Sequence, residues 1–362
     1  MGLKILFWGG RGWGFAQDMY DYVFKPMGAK QCRFGTPITR YLFETFVRDY
    51  DLIWCEEETI QSSGVYLLHY TAKTNGIFKR FYRSQKANII SRFHYADIEN
   101  ILRLSTWKAI MALTCCDQPV CVSEYSRRKL ETLLPLYDGL KNLKIVHNGI
   151  DTNIYKPNPK LKQNNLVFYL AFTSIRKRLH LLIQAMKYLK DWNLIIGGGC
   201  RLHEDIDRED SSVPSECQKS KDYWIWCHQL SKPYKSRIRW TGILSTEDKI
   251  RIYQRSTVFC LPSMMEAWAV TVLEAMSCGT PGIACEVGGI PEFVPRPQLL
   301  SRDPTPKEIA EKIMEVSRHP EWSVLNRGIA ENYDWKVVKE EVKAVINETL
   351  KQGLVLAANE LV

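Results

Sequence analysis

The sequence predicts an α/β protein of two doubly wound domains, each a parallel sheet covered by helices. Three observations carry that expectation. Near the start, KILFWGGRGWGFAQDMYDYVF runs from a short apolar stretch through glycines into an amphipathic one. Past mid-chain, LVFYLAFTSIRKRLHLLIQAMKYL repeats the plan, with leucine and isoleucine at helical spacing. This strand–turn–helix unit is what a doubly wound sheet is built from. The third observation is length: 362 residues exceed what one core usually holds, so two domains are the default.

Taken in order, residues 51–55 and 87–93 read as strands, the second delivering His94 at its carboxyl end, where α/β sheets place ligands. A helix follows over 97–114, and PVCVSEYSRRKL is a strand ending at Ser123 with a capped helix after it. LKIVHNGID adds a short strand and a turn on Asn148 and Gly149. The stretch 152–165, rich in Pro, Asn and Lys, reads as the link, giving domains 1–152 and 153–335 and a closing helix in 336–362. In the second domain DWNLIIGGG and RIRWTGIL are strands, EDKIRIYQRS is a helix, and the polar 200–236 between them reads as an irregular insertion. Beyond Val294, helices are expected over 304–317 and 335–350.

Apolar and charged fractions of 45% and 25% exclude a disordered chain or a fibre. The longest apolar runs, such as 166–172, fall far short of the ~20 residues of a membrane span. Residues 3–8 read as a strand rather than a secretory leader, so the expected location is cytoplasmic, with peripheral contact at the inner membrane surface as an extension. Eleven cysteines, with no C-x-x-C pair and several in apolar strands such as Cys121 and Cys260, read as reduced, buried thiols. Cys217, Cys227, His228 and His203 match no zinc spacing and read as ordinary loop residues. A net charge of +9 implies attraction to an anionic partner: lipid headgroups, a charged glycan or nucleic acid. The basic, aromatic stretch KTNGIFKRFYRSQK at 73–86 suits an anionic membrane surface or a phosphate backbone, and equally a solvated surface helix.

The centre of the chain is LPSMMEAWAVTVLEAMSCGTPGIA, read as strand, loop, helix and strand, with Gly279 and Pro281 spaced as a helix stop. Glu266 falls in the loop at the carboxyl end of the strand and Glu274 in the first helical turn. Taken alone, Thr271 to Glu274 spell a T-x-x-E capping box, which would make Glu274 structural. The helix start beside Glu266 also offers free amides to an anion.

Extended to LPSMMEAWAVTVLEAMSCGTPGIACEVGGIPEFV, the stretch resembles the signature of retaining glycosyltransferases of family 4, among the glycosyl transferases group 1, which have the GT-B fold of two Rossmann-like domains. The resemblance runs from Gly9 to Val294. It implies that Glu266 contacts the donor sugar near the reacting centre, that Glu274 binds the ribose hydroxyls, and that Ala267, Trp268, Ala269, Val270 and Thr271 line the donor. Ala269 stands where the family usually has glycine, and its Cβ narrows that space. His94 matches a histidine that contacts the donor hexose; by itself it is an ordinary structural histidine. Gly12 and Gly14 match a loop touching donor phosphate or acceptor, although such a turn also exists without a ligand. Lys177 matches a lysine for the departing diphosphate. Phe172 occupies the usual arginine position and Arg178 the usual glycine, leaving Arg176 and Arg178 as substitutes for the missing cation. Gly198, Thr241 and Gly242 match positions beside the nucleotide, and the closing helix matches one that packs back on the first domain.

The expected activity is therefore transfer of a hexose, with retention, from a UDP- or GDP-linked donor to a hydroxyl of a glycan, lipid or other acceptor. The fold class implies no metal and no other cofactor. Glu266, His94 and Lys177 are the expected catalytic residues. Alternatives are a nucleotide-sugar epimerase or sugar phosphorylase of the same fold, a nucleic-acid-binding protein or sugar transferase acting on nucleic acid, and a non-catalytic partner, since Phe172 and Ala269 depart from the pattern.

Overall fold

The computed structural model describes residues 3–9, 14–33, 50–56, 88–93, 117–133, 143–200 and 210–359. His94, Gly12, the basic stretch 73–86 and the helix expected over 97–114 lie outside the described residues. The chain divides into two compact units, 1–149 with 335–362, and 150–334.

The first unit holds a six-stranded parallel sheet of β1 (Ile5–Gly9), β2 (Lys30–Arg33), β3 (Leu52–Glu56), β4 (Asn88–Phe93), β5 (Gln118–Cys121) and β6 (Lys144–Ile145), in the order β2-β1-β3-β4-β5-β6. This is the flavodoxin-like order with one further strand. The helix α1 (Gly14–Met19) continues through a wider turn to Phe24, and α2 (Glu124–Leu133) follows β5. Phe7, Leu52, Trp54 and Ile90 are buried because both faces of a parallel sheet are covered.

The closing helix, Trp335–Asn359, belongs to this unit. Trp335, Val338, Val342, Val345 and Ile346 recur at helical spacing and join the core of Phe7, Phe24 and Trp54. Trp335 stacks on Tyr22 with ring centroids 5.5 Å apart, and Glu341 takes the His147 amide at 3.0 Å while facing its Nδ1 at 2.9 Å.

The second unit repeats the plan. Its strands are β7 (Leu166–Leu170), β8 (Asn193–Gly197), β9 (Ile238–Gly242), β10 (Val258–Leu261), β11 (Gly282–Cys285) and β12 (Leu299–Leu300). The order is β12-β11-β10-β7-β8-β9, all parallel: counted from β7 and read from the β9 edge, the 3-2-1-4-5-6 of a Rossmann sheet. The helices are α3 (Leu179–Ala185), α4 (Ser220–Ser231), α5 (Thr246–Arg255), α6 (Val270–Ser277), α7 (Pro306–Ser317) and α8 (Glu321–Glu331). The direction of winding reverses between β7 and β10, where ligands of such sheets bind beyond the carboxyl ends of the strands.

Three expectations change. The passage between units falls at Gly149 and Ile150, and 152–165 is fastened to the second unit: Thr152 donates to Asp334, Gln254 to the Lys156 carbonyl and Lys162 to Thr280. The insertion is not irregular in its described part, because α4 buries Tyr223 and Cys227, one helical turn apart. Helix α8 was not anticipated: exposed Val324 and Leu325 and an internal Gly328 blur its periodicity.

Candidate active site

Two loops meet at the switch point of the second sheet. After β7 the chain makes a tight turn, Ile175–Lys177, and enters α3; after β10 it passes through Ser263 to Ala269 and enters α6. The Met264 amide donates to the Arg176 carbonyl at 2.8 Å, so the loops are joined through backbone before any side chain acts.

Lys177 and Glu266 come together as the sequence predicts, with Nζ donating to Oε1 at 2.5 Å. Glu266 is buried, and burial alone would raise its pKa. The charges of Lys177 and Arg176 outweigh that and hold it below the usual carboxylate value. Glu266 is therefore an anion at neutral pH, an acceptor rather than an acid. Its backbone is fixed from the far side by the Gly289 amide, which donates to the Glu266 carbonyl at 3.1 Å. Gly288 permits this approach: its φ is +59° and a Cβ there would lie 1.6 Å from the same carbonyl oxygen. Sequence reasoning passed over Gly288, although the Gly-Gly dipeptide after β11 signals a close backbone approach.

Arg176 is half-buried and its charge reaches Glu266, while no hydrogen bond or ion pair engages its guanidinium among the described residues. Arg178, the other expected substitute, is elsewhere. Its side chain is buried on Asp210, Asp303 and the Arg302 carbonyl, so it is not available to a donor phosphate. Phe172, at the usual arginine position, is 43% exposed.

Helix α6 begins at Val270 after Ala269, and no side chain caps it. The capping-box reading therefore fails: Thr271 is already inside the helix, and Glu274 points its carboxylate to α5. Lys249 Nζ donates to Glu274 Oε1 at 2.5 Å, and the Tyr253 hydroxyl lies 2.9 Å from Oε2 and 3.0 Å from the Thr271 carbonyl. Burial, reinforced by Glu274, pushes the Tyr253 pKa well up, so this phenol stays a donor. Lys249 and Tyr253, four apart on one helix face, were missed because Lys249 sits in a run of charges that reads as solvated surface.

At the helix start the Val270 and Val272 amides are engaged by the Trp268 and Ala269 carbonyls, both at 3.0 Å, and among the described residues the Thr271 amide is the one left for an anion. Ala267, Val270 and Thr271 are partly exposed beside it, whereas Trp268 and Ala269 are buried. Trp268 packs on Phe293 and Tyr333, with centroids at 4.8 and 5.0 Å, and is a core residue rather than a donor-facing one. Gly198, with φ +113°, closes on the Ala171 carbonyl, 1.9 Å from where a Cβ would stand, and its amide donates to Gly242 at 2.8 Å. These hold the ends of β7, β8 and β9 together. Gly14 opens α1 in the first unit. Among the described residues no cluster of three or more His, Cys, Asp or Glu could hold a metal ion.

The second unit is thus a Rossmann sheet whose switch point carries two joined loops, two glutamates eight positions apart and a lysine in the preceding turn. The chain belongs to the glycosyl transferases group 1 family, whose model matches residues 151–334. It is 26% identical over 205 residues to the α-maltose-1-phosphate synthase of Mycolicibacterium smegmatis, covering 53% of this chain and 49% of that protein. It is 23% identical over 253 residues to a phosphatidylinositol N-acetylglucosaminyltransferase subunit of Arabidopsis thaliana, covering 66% of this chain and 51% of that one. The chain thus spans about half the length of these relatives. Its fold is the GT-B fold: the crystal structure of Anabaena HepE in complex with UDP aligns over 96% of this chain and 100% of that one with a TM-score of 0.73 at 17% identity. Sucrose-phosphate synthase from Thermosynechococcus elongatus aligns over 97% of this chain and 100% of that one, with a TM-score of 0.68 at 14% identity. Among the described residues no helix is long and apolar enough to cross a membrane.

Proposed function

We propose that this protein is a retaining hexosyltransferase of family 4 that takes a sugar from a nucleoside-diphosphate donor and passes it to a hydroxyl of a glycan or lipid-linked acceptor. The observation that carries the reading is the Lys177–Glu266 pair at the switch point, with Arg176 and the uncapped start of α6 beside it. Breaking the bond between the sugar's anomeric carbon and phosphate builds positive charge on the sugar and negative charge on the departing diphosphate. Arg176, Lys177 and the Thr271 amide at the start of α6 are the donors for the second. Glu266, held ionised, is a fixed acceptor for the sugar's hydroxyls and complements the first. Glu274 accepts from Lys249 and Tyr253 and keeps lone pairs for ribose hydroxyls. With no protein nucleophile assigned, the acceptor oxygen bonds to the anomeric carbon on the face the diphosphate leaves, and its proton passes to the departing phosphate oxygen.

A UDP donor is the first to test, since HepE has been seen with UDP, with UDP and glucose, and with UDP-glucose. We assign the chemistry no metal, with Arg176 and Lys177 as the cations for the departing diphosphate. The chain carries two Asp-x-Asp triplets, at 49–51 and 205–207, so this part is testable: turnover should survive chelation, and dependence on added Mn²⁺ or Mg²⁺ would refute it. Release of nucleoside diphosphate across a panel of UDP- and GDP-hexoses, with the product anomer read by NMR, tests the whole reading. Epimerised donor without acceptor, or no release from any donor, would replace it.

A further inference from the structure

We infer that Arg178 is a positioning residue: it locks the turn that presents Arg176 and Lys177, acting through Asp210. The inference rests on the donor-binding role proposed for that turn. Arg178 adopts φ +48° and ψ +37°, a left-handed conformation that suits glycine and strains any residue with a Cβ. The strain is imposed at the one point where the Ile175–Lys177 turn becomes α3. The Arg178 amide closes the turn on the Ile175 carbonyl at 2.8 Å, and its own carbonyl accepts the Leu181 amide at 3.1 Å.

The side chain supplies what the backbone gives up. Nε donates to Asp210 Oδ2 at 3.1 Å, Nη1 to the Arg302 carbonyl at 2.8 Å and Nη2 to Asp303 Oδ1 at 2.5 Å. The two carboxylates are unequal. Asp303 has 82% of its side chain exposed, so solvent screens that pair, whereas Asp210 is 7% exposed and faces an 8% exposed guanidinium.

Asp210 is itself built in. Ser212 donates to its Oδ1 from the amide at 2.9 Å and from the hydroxyl at 2.5 Å. With that hydroxyl proton spent, His180 Nε2 donates to Ser212 Oγ at 2.9 Å, and Tyr223 donates to His180 Nδ1 at 2.8 Å. A continuous hydrogen-bonded chain, buried at every member but the exposed Ser212, thus runs from α4 through α3 to Arg178. The arrangement takes Arg178 out of the donor site and holds its two neighbours in it.

The test is the affinity for UDP by calorimetry on the full chain, with the melting temperature followed in parallel. R178G removes the brace but accepts the left-handed backbone without strain, so it folds. It should bind UDP about tenfold more weakly than the wild type, the scale expected from misplaced binding groups. D210N, which keeps the shape, should match it, and the R178G/D210N double variant should be no weaker than either, because the two act as one unit. D303N should stay within about twofold of wild type. In a K177M background R178G should cost about threefold or less, since its effect passes through the turn. A wild-type affinity for R178G or D210N, or an undiminished effect in K177M, overturns the inference. Wild-type protein that binds neither UDP nor GDP overturns the donor reading itself, a result separable from these.

Discussion

Lys177 Nζ lies 2.5 Å from Glu266 Oε1 across 89 positions of sequence, and the two side chains are 16% and 8% exposed. The pair exists because β7 and β10 are neighbours in the sheet, so the loops leaving them must meet. Removing one partner of a buried pair leaves an uncompensated charge, at a cost of about 3–5 kcal/mol. K177M should therefore lower the urea stability of the protein by about 3 kcal/mol, while K177M/E266L, which removes both charges, should recover most of it and remain inactive. A K177M protein of wild-type stability would show that the pair is not formed in solution.

Glu274 predicts a preference rather than a rate. A site built to accept from ribose hydroxyls rejects the analogue that lacks one. Wild-type protein should bind UDP about tenfold more tightly than 2′-deoxy-UDP, and E274A should bind both alike. An E274A variant that still discriminates would move the ribose elsewhere.

Gly288 is where the smallest change should do most damage. A Cβ at 1.6 Å from the Glu266 carbonyl oxygen cannot be accommodated without moving the Glu266 loop. G288A should lower kcat by about a hundredfold or more, with circular dichroism of the folded protein little altered. Activity within a few-fold of wild type would mean that the Glu266 backbone is not held as described.

His180 gives a pH dependence with a definite sign. Burial, its largest cause, lowers the His180 pKa from 6.5 to about 4. The unfolded chain then binds the proton more readily than the folded one. The stability this residue contributes is fully present above about pH 6.5 and drains away as the pH falls towards 4. The melting temperature should drop across that window, and H180Q should flatten the drop. An unchanged slope in H180Q would assign the acid sensitivity to other groups.

Much of this was legible in the sequence for a physical reason. Strands buried on both faces write near-continuous apolar runs, and the helix stop at Gly279, with φ +70°, is a backbone need that the sequence states outright. Glu266 and Lys177 were legible through the resemblance to a family signature, each lying in a loop that follows a readable strand. What stayed hidden were interactions with no local trace. Thr271 to Glu274 has the letters of a capping box, but the helix starts two residues earlier and Lys249, 25 positions away, claims the carboxylate. Arg178 looked like a second cation for phosphate because its acceptors, Asp210 and Asp303, lie 32 and 125 positions off. Trp268 looked donor-facing because its partner Tyr333 belongs to a distant turn.

The central claim is that the donor's diphosphate rests against the Arg176–Lys177 turn and the start of α6. The most direct measurement is calorimetric titration of UDP into wild-type protein and into R176A/K177M. The account predicts saturable binding by the wild type, weakened by at least about a hundredfold in the double variant at unchanged circular dichroism. Equal affinity in the two proteins would contradict it.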